Sequence, residues 1–445
     1  MRSMRLALSV IAVGFSAMVA TAQKPAPLVV ISVDGMKPEY VTHAAEHGLK
    51  IPELHSFLTR GTYAEGVIGV VPTVTYPSHT TLITGVPPAE HGVWDNTVFD
   101  PLGEHPGRWY WDFSWLKVET LYQAADKAGL KTAAVGWPVT VGAPIDYLIA
   151  EGAQSERTDK PAGPAYVPAD IVAQLGVKQA KGQDEDDVKT GQSVGILHKW
   201  KPALMLVHLT DLDEEEHGHG PFSTEADAAL EKIDGQIKQI EDAALAVDPA
   251  TRIVIVSDHG FEAVDHNVNL NVLLAHAGLI HLGPPASGKK RPTVISWDAE
   301  AWPAGGSTVV MLRDPNDAAT MRKVTAVIDA LKADPKYKVA HVLNHEELVK
   351  AGGFPTAAYL VDFKDGMEPG TGMTGDAISE SPLKGMHGFV PWNPEMRSTF
   401  MAKGTGIAQA RDLKVVNMLQ VAPTLAGMLD VTLPAAKATP LNIKP

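Results

Sequence analysis

The chain contains no cysteine. That excludes disulfides, thiolate metal ligands, a cysteine nucleophile and a lipid-modified N-terminal cysteine together. Any metal site has to be assembled from His, Asp and Glu, and any side-chain nucleophile has to be Ser, Thr or another oxygen. Basic residues are in deficit: 38 Lys and Arg stand against 52 Asp and Glu, for a formal net charge of -14. Duplex binding is driven largely by basic contacts to phosphates, so a nucleic-acid scaffold is not expected. The acidic balance does not exclude a small phosphorylated substrate, because bound cations reverse the charge of a local site. Internal repeats and low-complexity tracts are absent. So, beyond the N-terminus, are apolar runs approaching the roughly 20 residues of a membrane span.

What is present begins with that N-terminus. Arg2 and Arg5 precede the apolar run Leu6 to Val19, and Ala20-Thr21-Ala22 follows as a small-residue cleavage pattern. Residues 1–22 read as a secretory signal peptide, with cleavage before Gln23 and an exported, periplasmic or secreted mature chain. The run is short for an uncleaved anchor, so no stable membrane span is expected. The remainder of the 445 residues has an ordinary globular composition, 45% hydrophobic and 20% charged.

Leu28-Val-Val-Ile-Ser-Val33 is an apolar, β-branched run that ends at Asp34-Gly35. It has the pattern of a buried parallel strand with a carboxylate at its C-terminal edge. The construction recurs at Ala203 to Leu209, which runs into Asp211 and Asp213, and at Arg252 to Val256, which runs into Ser257-Asp258-His259-Gly260. Between them lie helical patterns: Leu230, Ile233, Ile237 and Ile240 fall at helical spacing, and Val118 to Ala128 precedes a strand at Lys131 to Val135. Alternating strands and helices predict an α/β fold with a doubly wound, mostly parallel sheet. Residues 262–384 carry weaker patterns (Thr308 to Leu312, Asp317 to Leu331, Ala358 to Phe363) and read as an inserted cap within a catalytic domain spanning 23–445. Ser398 to Ala402 predicts a further short strand, and Val415 to Leu429 a closing helix.

Ligands of such sheets bind beyond the carboxyl ends of the strands, and three of these ends deliver acidic or His residues. Asp213 and His217 are four apart, a spacing that can face one ion from a single helical turn. Asp258 and His259 are adjacent at a strand end, Asp34 lies at another, and His387 precedes Gly388, which permits close backbone approach. Carboxylates with imidazoles suit Zn²⁺, with Mn²⁺, Co²⁺ or Fe as alternatives. Singly, each is as consistent with a solvated turn. Pro72-Thr-Val-Thr75-Tyr-Pro-Ser78-His79 joins a strand around Val67 to Val71 to a helical stretch at Ser78 to Ile83. A helix N-terminus there would favour a phosphate, and a Thr beside a cation ionises without a general base. A plain N-cap role for Thr75 or Ser78 fits the same residues.

The segments Asp34-Gly35, Pro72 to His79 with Thr84-Gly85 and His91-Gly92, Asp213 to Pro221, Ser257 to Gly260 and His387-Gly388-Phe389 occur in one order. Together, over roughly Leu28 to Leu429, they resemble the nucleotide pyrophosphatase/phosphodiesterase family of the alkaline phosphatase superfamily. The resemblance implies a two-zinc site. Asp34, Asp258, His259 and the Thr75 oxygen would hold one ion, and Asp213, His217 and His387 the other. It makes Thr75 the nucleophile of a covalent phospho-threonine route, Asn96 the phosphate contact and Tyr76 an aromatic that stacks on a substrate group. Glu214, Glu215 and Glu216 depart from the Ser or Gly common in the family, and such a charge run is expected to face water. Gly136-Trp-Pro-Val-Thr-Val-Gly-Ala-Pro144 carries no basic residue, which favours diesters or pyrophosphates over the monoesters of the same superfamily. A sulfatase is not expected, because its nucleophile is normally a modified Cys and the chain has none. A non-catalytic zinc-binding protein would be expected to have lost one of these residues; none is missing.

Overall fold

The computed structural model describes residues 24–104, 108–151, 169–177, 184–285 and 291–445. The proposed signal peptide lies outside them. Among the described residues no helix is long and apolar enough to cross a membrane.

An eight-stranded sheet organises the chain. Its order runs Arg411–Asp412, Thr62–Tyr63, Phe400–Lys403, Arg252–Val256, Leu28–Val33, Leu204–Leu209, Thr132–Val135, Tyr147–Ile149. The five strands from Arg252–Val256 to Tyr147–Ile149 are mutually parallel, and Phe400–Lys403 is antiparallel to its neighbours. The Leu28–Val33 run is buried at every position because the sheet is covered on both faces. Leu28 and Val30 point, with Leu204, Leu206, Val254 and Val256, towards helices Thr75–Thr84 and Val421–Met428. Val29, Ile31 and Val33 point the other way, with Met205, Val207 and Ile255, onto helices Pro52–Arg60, Glu185–Trp200 and Thr224–Val247. Leu230, Ile233, Ile237 and Ile240 form the buried stripe of the last helix, as their spacing predicted.

Residues 262–384 carry a second, four-stranded antiparallel sheet, ordered Ala299–Ala304, Ser307–Leu312, Ala357–Phe363, Val339–Asn344, with helix Ala318–Ala333 packed on it. Its other face packs Trp302, Ala304 and Leu360 with Val71 and Val390, beside the segments that hold His387 and Thr75.

Among the boundaries that differ from the sequence reading, two at helices are instructive. The helix expected at Ser78 to Ile83 spans Thr75–Thr84, with Val74 as its cap residue. It starts earlier because Pro77, at its third position, needs no amide partner there. The closing helix is shorter than Val415 to Leu429. Val415–Asn417 pairs as a parallel strand with Gly66–Ile68, a 3₁₀ turn follows at Met418–Gln420, and the α-helix is Val421–Met428. The β-branched pair Val415-Val416 fits a strand, and Asn417 caps the turn through Leu419 N–H.

His91 ties the Thr75–Thr84 helix to the loop that carries Asn96. Its Nδ1 accepts from Val93 N–H at 3.2 Å and its Nε2 lies 3.2 Å from Thr81 Oγ1. Burial holds its pKa down to about 3, and a proton on Nδ1 would displace the Val93 bond. The group is neutral in the folded chain, whereas an unfolded His titrates near about 6.5. Between those values the unfolded state binds more protons, so stability falls as pH is lowered from about 6.5 towards about 3. This group alone should contribute a slope of about 1.4 kcal/mol per pH unit. Urea unfolding of the wild type and His91→Gln across pH 4 to 7 should show a flatter dependence in the variant.

Candidate active site

Three adjacent strands of the main sheet deliver their ends to one place. Register aligns Ser32 with His208 and with Val256, so Asp34, the Thr210–Asp213 turn and Asp258-His259 all leave the sheet on the same edge. Asp34 N–H donates to Leu209 C=O at 2.9 Å, which fixes the first of these turns against the second. Gly35, at φ +73°, makes the turn, and a Cβ there would fall 2.6 Å from Glu216 Oε2. Helix Asp211–His219 carries Asp213 and His217 one turn apart. His387 arrives on a separate loop. Gly388, at φ +91°, lets that loop approach the second sheet, where a Cβ would meet Ala304 C=O at 2.4 Å.

Asp34, Asp258 and His259 place ligand atoms within 4.8 Å of one another, and so do Asp213, His259 and His387. His259 Nε2 stands 3.2 Å from Asp34 Oδ1 and 3.1 Å from Asp258 Oδ2. Asp213 reaches His217 Nε2 at 3.6 Å and His387 Nε2 at 3.8 Å. The His259 and His387 rings stack at 3.6 Å. Thr75 Oγ1 lies 3.4 Å from His259 Nε2, at the first turn of its helix, where it makes no capping bond. The cap is Val74, so the N-cap role open to Thr75 in the sequence is not the one it has.

The residues fit a divalent metal. Asp34 Oδ1, Asp213 Oδ1 and Asp258 Oδ2 are buried without a hydrogen-bond partner, an arrangement that is costly unless a cation satisfies it. The imidazoles are set for the same purpose: Nδ1 of His217, His259 and His387 faces the carbonyls of Gly385, Gly260 and Thr73 at 3.0, 3.3 and 3.2 Å. A proton on each Nδ1 leaves the Nε2 lone pair directed at the carboxylates, the usual arrangement of a metal-binding His. Without an ion the cluster is electrostatically conflicted. Burial and then the Asp258 charge push the Asp34 carboxyl well above its usual range. Asp258, despite burial, is held well below its usual range by His259 and His79. Burial and then the neighbouring His259 and His217 push His387 well down.

Asn96 Oδ1 accepts from Tyr76 N–H at 2.8 Å, which turns its amide N–H₂ away from that contact. The helix start itself offers fewer donors than the sequence reading expected: Tyr76 N–H is taken by Asn96, Pro77 has none, and Ser78 N–H bonds Val74 C=O at 3.1 Å. Tyr76 is placed differently from its expected stacking role. Its ring is fully buried and packs edge-on against Trp109 and Trp111 at 5.1 and 6.0 Å. The acidic run also divides. Glu214 is exposed and Glu215 half-buried, but Glu216 is fully buried, contrary to the expectation of a solvated run. Helical spacing puts Glu216 on the Asp213 face, where Tyr40 O–H donates to its Oε1 at 2.9 Å and burial pushes its carboxyl well up. The sequence reading assigned no role to His79 or His208. Their signals were the His of the Thr75 segment and a lone polar residue in an otherwise apolar strand.

The mouse ectonucleotide pyrophosphatase/phosphodiesterase family member 1 is 24% identical over 277 residues, covering 60% of this chain and 28% of that protein. An uncharacterized pyrophosphatase/phosphodiesterase of Schizosaccharomyces pombe is 21% identical over 415 residues, covering 87% and 73%. The chain thus spans under a third of the mouse relative's length. Among solved structures, human ectonucleotide pyrophosphatase / phosphodiesterase 5 superposes with a TM-score of 0.67 at 18% identity, covering 94% of this chain and 97% of that one. The inactive mouse form in complex with AMP gives 0.65 at 19% identity, with 94% and 97% coverage. These likenesses show an alkaline phosphatase-like fold. The family model described as type I phosphodiesterase / nucleotide pyrophosphatase matches residues 28–362, and the chain belongs to that family.

Proposed function

We propose that the chain hydrolyses phosphate diester or pyrophosphate bonds through a covalent phospho-threonine on Thr75, at a site holding two divalent ions, zinc by donor type. The observation that carries this reading is the position of Thr75 Oγ1. It is a helix-start hydroxyl with no capping duty, 3.4 Å from His259 Nε2, beside three buried carboxylate oxygens without hydrogen bonds. Asp34, Asp258 and His259 would hold one ion with Thr75. Asp213, His217 and His387 would hold the other, His259 lying within reach of both groups. When bound, the ions supply positive charge to the attacking and leaving oxygens of an in-line displacement. Thr75 Oγ, having lost its proton to solvent, forms a bond to phosphorus as the bond to the leaving oxygen breaks. Water then displaces Thr75, which regains a proton, to release the retained group as a phosphate monoester. The Asn96 amide, held by Tyr76 N–H, donates to a non-bridging oxygen, where charge collects in the transition state.

Cation placement supports a diester or pyrophosphate over a monoester. Among the described residues no Lys or Arg pairs with Asp34, Asp213 or Asp258. Lys189, which packs behind Gly136, is buried and bound to Asp186 and Thr210 at 3.1 and 2.8 Å, and Lys37 is paired with Glu395. The AMP held by the mouse structure makes nucleotides the first substrate class to test. The reading includes residues 262–384 as the cap whose shape selects the leaving group, and export of the chain after residue 22.

Thr75→Ala should lower turnover by about a thousandfold or more while circular dichroism and zinc stoichiometry stay near those of the wild type. Activity retained within tenfold would remove Thr75 from the mechanism. A paired assay on zinc-loaded protein should show a bis-aryl diester cut faster than the matching monoester, with both activities lost on chelation and restored by zinc. Faster monoester cleavage would reverse the substrate assignment and place an additional cation in the cleft.

A further inference from the structure

Two fully buried histidines, neither of them in the ligand set above, stand directly behind it. His208 Nε2 lies 2.9 Å from Asp34 Oδ2, and its Nδ1 faces Gly136 C=O at 3.2 Å. His79 Nδ1 lies 2.9 Å from Thr75 C=O and 3.5 Å from Asp258 Oδ2, and its Nε2 is 2.9 Å from Ser32 Oγ. The two rings lean on each other at 4.3 Å, and Trp137 closes edge-on over His79 at 5.0 Å. Each carboxylate has one oxygen anchored, Asp34 by a histidine and Asp258 by backbone. Asp34 Oδ2 is held by His208, and Asp258 Oδ1 accepts from Gly35 N–H at 3.2 Å. The other oxygen of each, Asp34 Oδ1 and Asp258 Oδ2, is buried without a hydrogen bond on the side of His259 Nε2. A carboxylate free to rotate would not keep one oxygen in reserve in this way.

We propose that His208 and His79 are positioning residues: His208 holds Asp34 Oδ2 so that Oδ1 is presented to a metal ion, and His79 packs against Asp258 Oδ2 and sets the direction in which that oxygen, its partner Oδ1 held by Gly35 N–H, faces the ion. His208 works from the sheet, in register with Ser32. His79 works from the nucleophile's own helix, one turn after Thr75, and links the Thr75 carbonyl to Asp258. The arrangement follows the general behaviour of groups that contact metal ligands rather than metals, whose loss weakens affinity about 10–100-fold. The inference rests on the two-ion reading above.

The test is zinc affinity and stoichiometry, measured by competition with a chromophoric chelator, alongside the melting temperature of the metal-free protein. His208→Leu removes the Nε2 contact in a similar volume, and His208→Gln keeps a side-chain N–H near the same place. His208→Leu should weaken one of the two zinc-binding steps about 10–100-fold and leave the other near wild type, and His208→Gln should recover most of the loss. His79→Asn, which keeps a donor near Nδ1, should likewise bind more tightly than His79→Leu. Equal affinity in the wild type and both Leu variants would overturn the assignment. So would weakening of both zinc steps in parallel with a fall in the metal-free melting temperature, the signature of a core histidine alone. A wild-type chain that takes up no divalent ion would instead overturn the metal reading itself, and this inference with it.

Discussion

The structure depends on a set of buried oxygen and nitrogen lone pairs that face one another at the strand ends. Asp34 Oδ1, Asp213 Oδ1 and Asp258 Oδ2 lack hydrogen bonds, and Nε2 of His259 stands within 3.2 Å of two of these oxygens. Proton shifts reconcile such a cluster only in part, as the opposed displacement of Asp34 and Asp258 shows. Divalent cations would reconcile it further, because each lone pair would then gain a partner without a proton. The surrounding fold is what keeps the cluster from relaxing. The parallel pairing of Leu28–Val33 with Leu204–Leu209 and Arg252–Val256 fixes three chain ends side by side, and carbonyls of Gly260, Gly385 and Thr73 hold the imidazoles from behind.

The sheet and the site are therefore one construction. The strands are buried on both faces, so sliding one by a single residue would exchange its two sets of side chains between cores. Leu28 and Val30 belong to one core, Val29 and Ile31 to the other, and all four are fully used. Hydrophobic packing thereby sets where each strand stops, and a carboxylate placed just past that stop inherits the precision. His387 is outside this logic. It reaches the cluster on a loop whose Gly388 is pressed against the Gly305 turn of the second sheet, with Ser307 Oγ donating to Gly388 C=O at 2.8 Å.

Much of this was legible in the residues. The runs ending at Asp34, Asp213 and Asp258 announced buried strands because apolar β-branched stretches without alternation have few other uses. The ordered segments brought Thr75, Asn96, His217, His259 and His387 to the same list. What escaped the sequence were features that need the third dimension. Tyr76 follows Thr75 in the chain, yet its helical position turns it into the core between Trp109 and Trp111. Three consecutive glutamates look alike as letters, but a 100° step per residue gives each a different environment. His208 and His79 are separated by 129 positions in the numbering, and only the packing of helix Thr75–Thr84 on the sheet sets them ring to ring.

The fate of Glu216 bears on what charge the site presents to a substrate. Burial, offset only in part by the Tyr40 hydroxyl, pushes this carboxyl well above its usual range, which disfavours a negative charge behind the Asp34-Gly35 turn. Glu214 points to solvent, where screening weakens it. The charge at the reactive centre on the two-ion reading is then set by the ions and three carboxylates, Asp34, Asp213 and Asp258. On that reading two divalent ions against three carboxylates leave one positive charge, which an ionised Thr75 would cancel. A phosphodiester would then add one negative charge to a neutral centre and a monoester dianion two, and the buried Lys189 behind Gly136 is already committed to Asp186. On the two-ion reading the compensation for an anionic substrate would be local, built at the strand ends, and independent of the acidic surface.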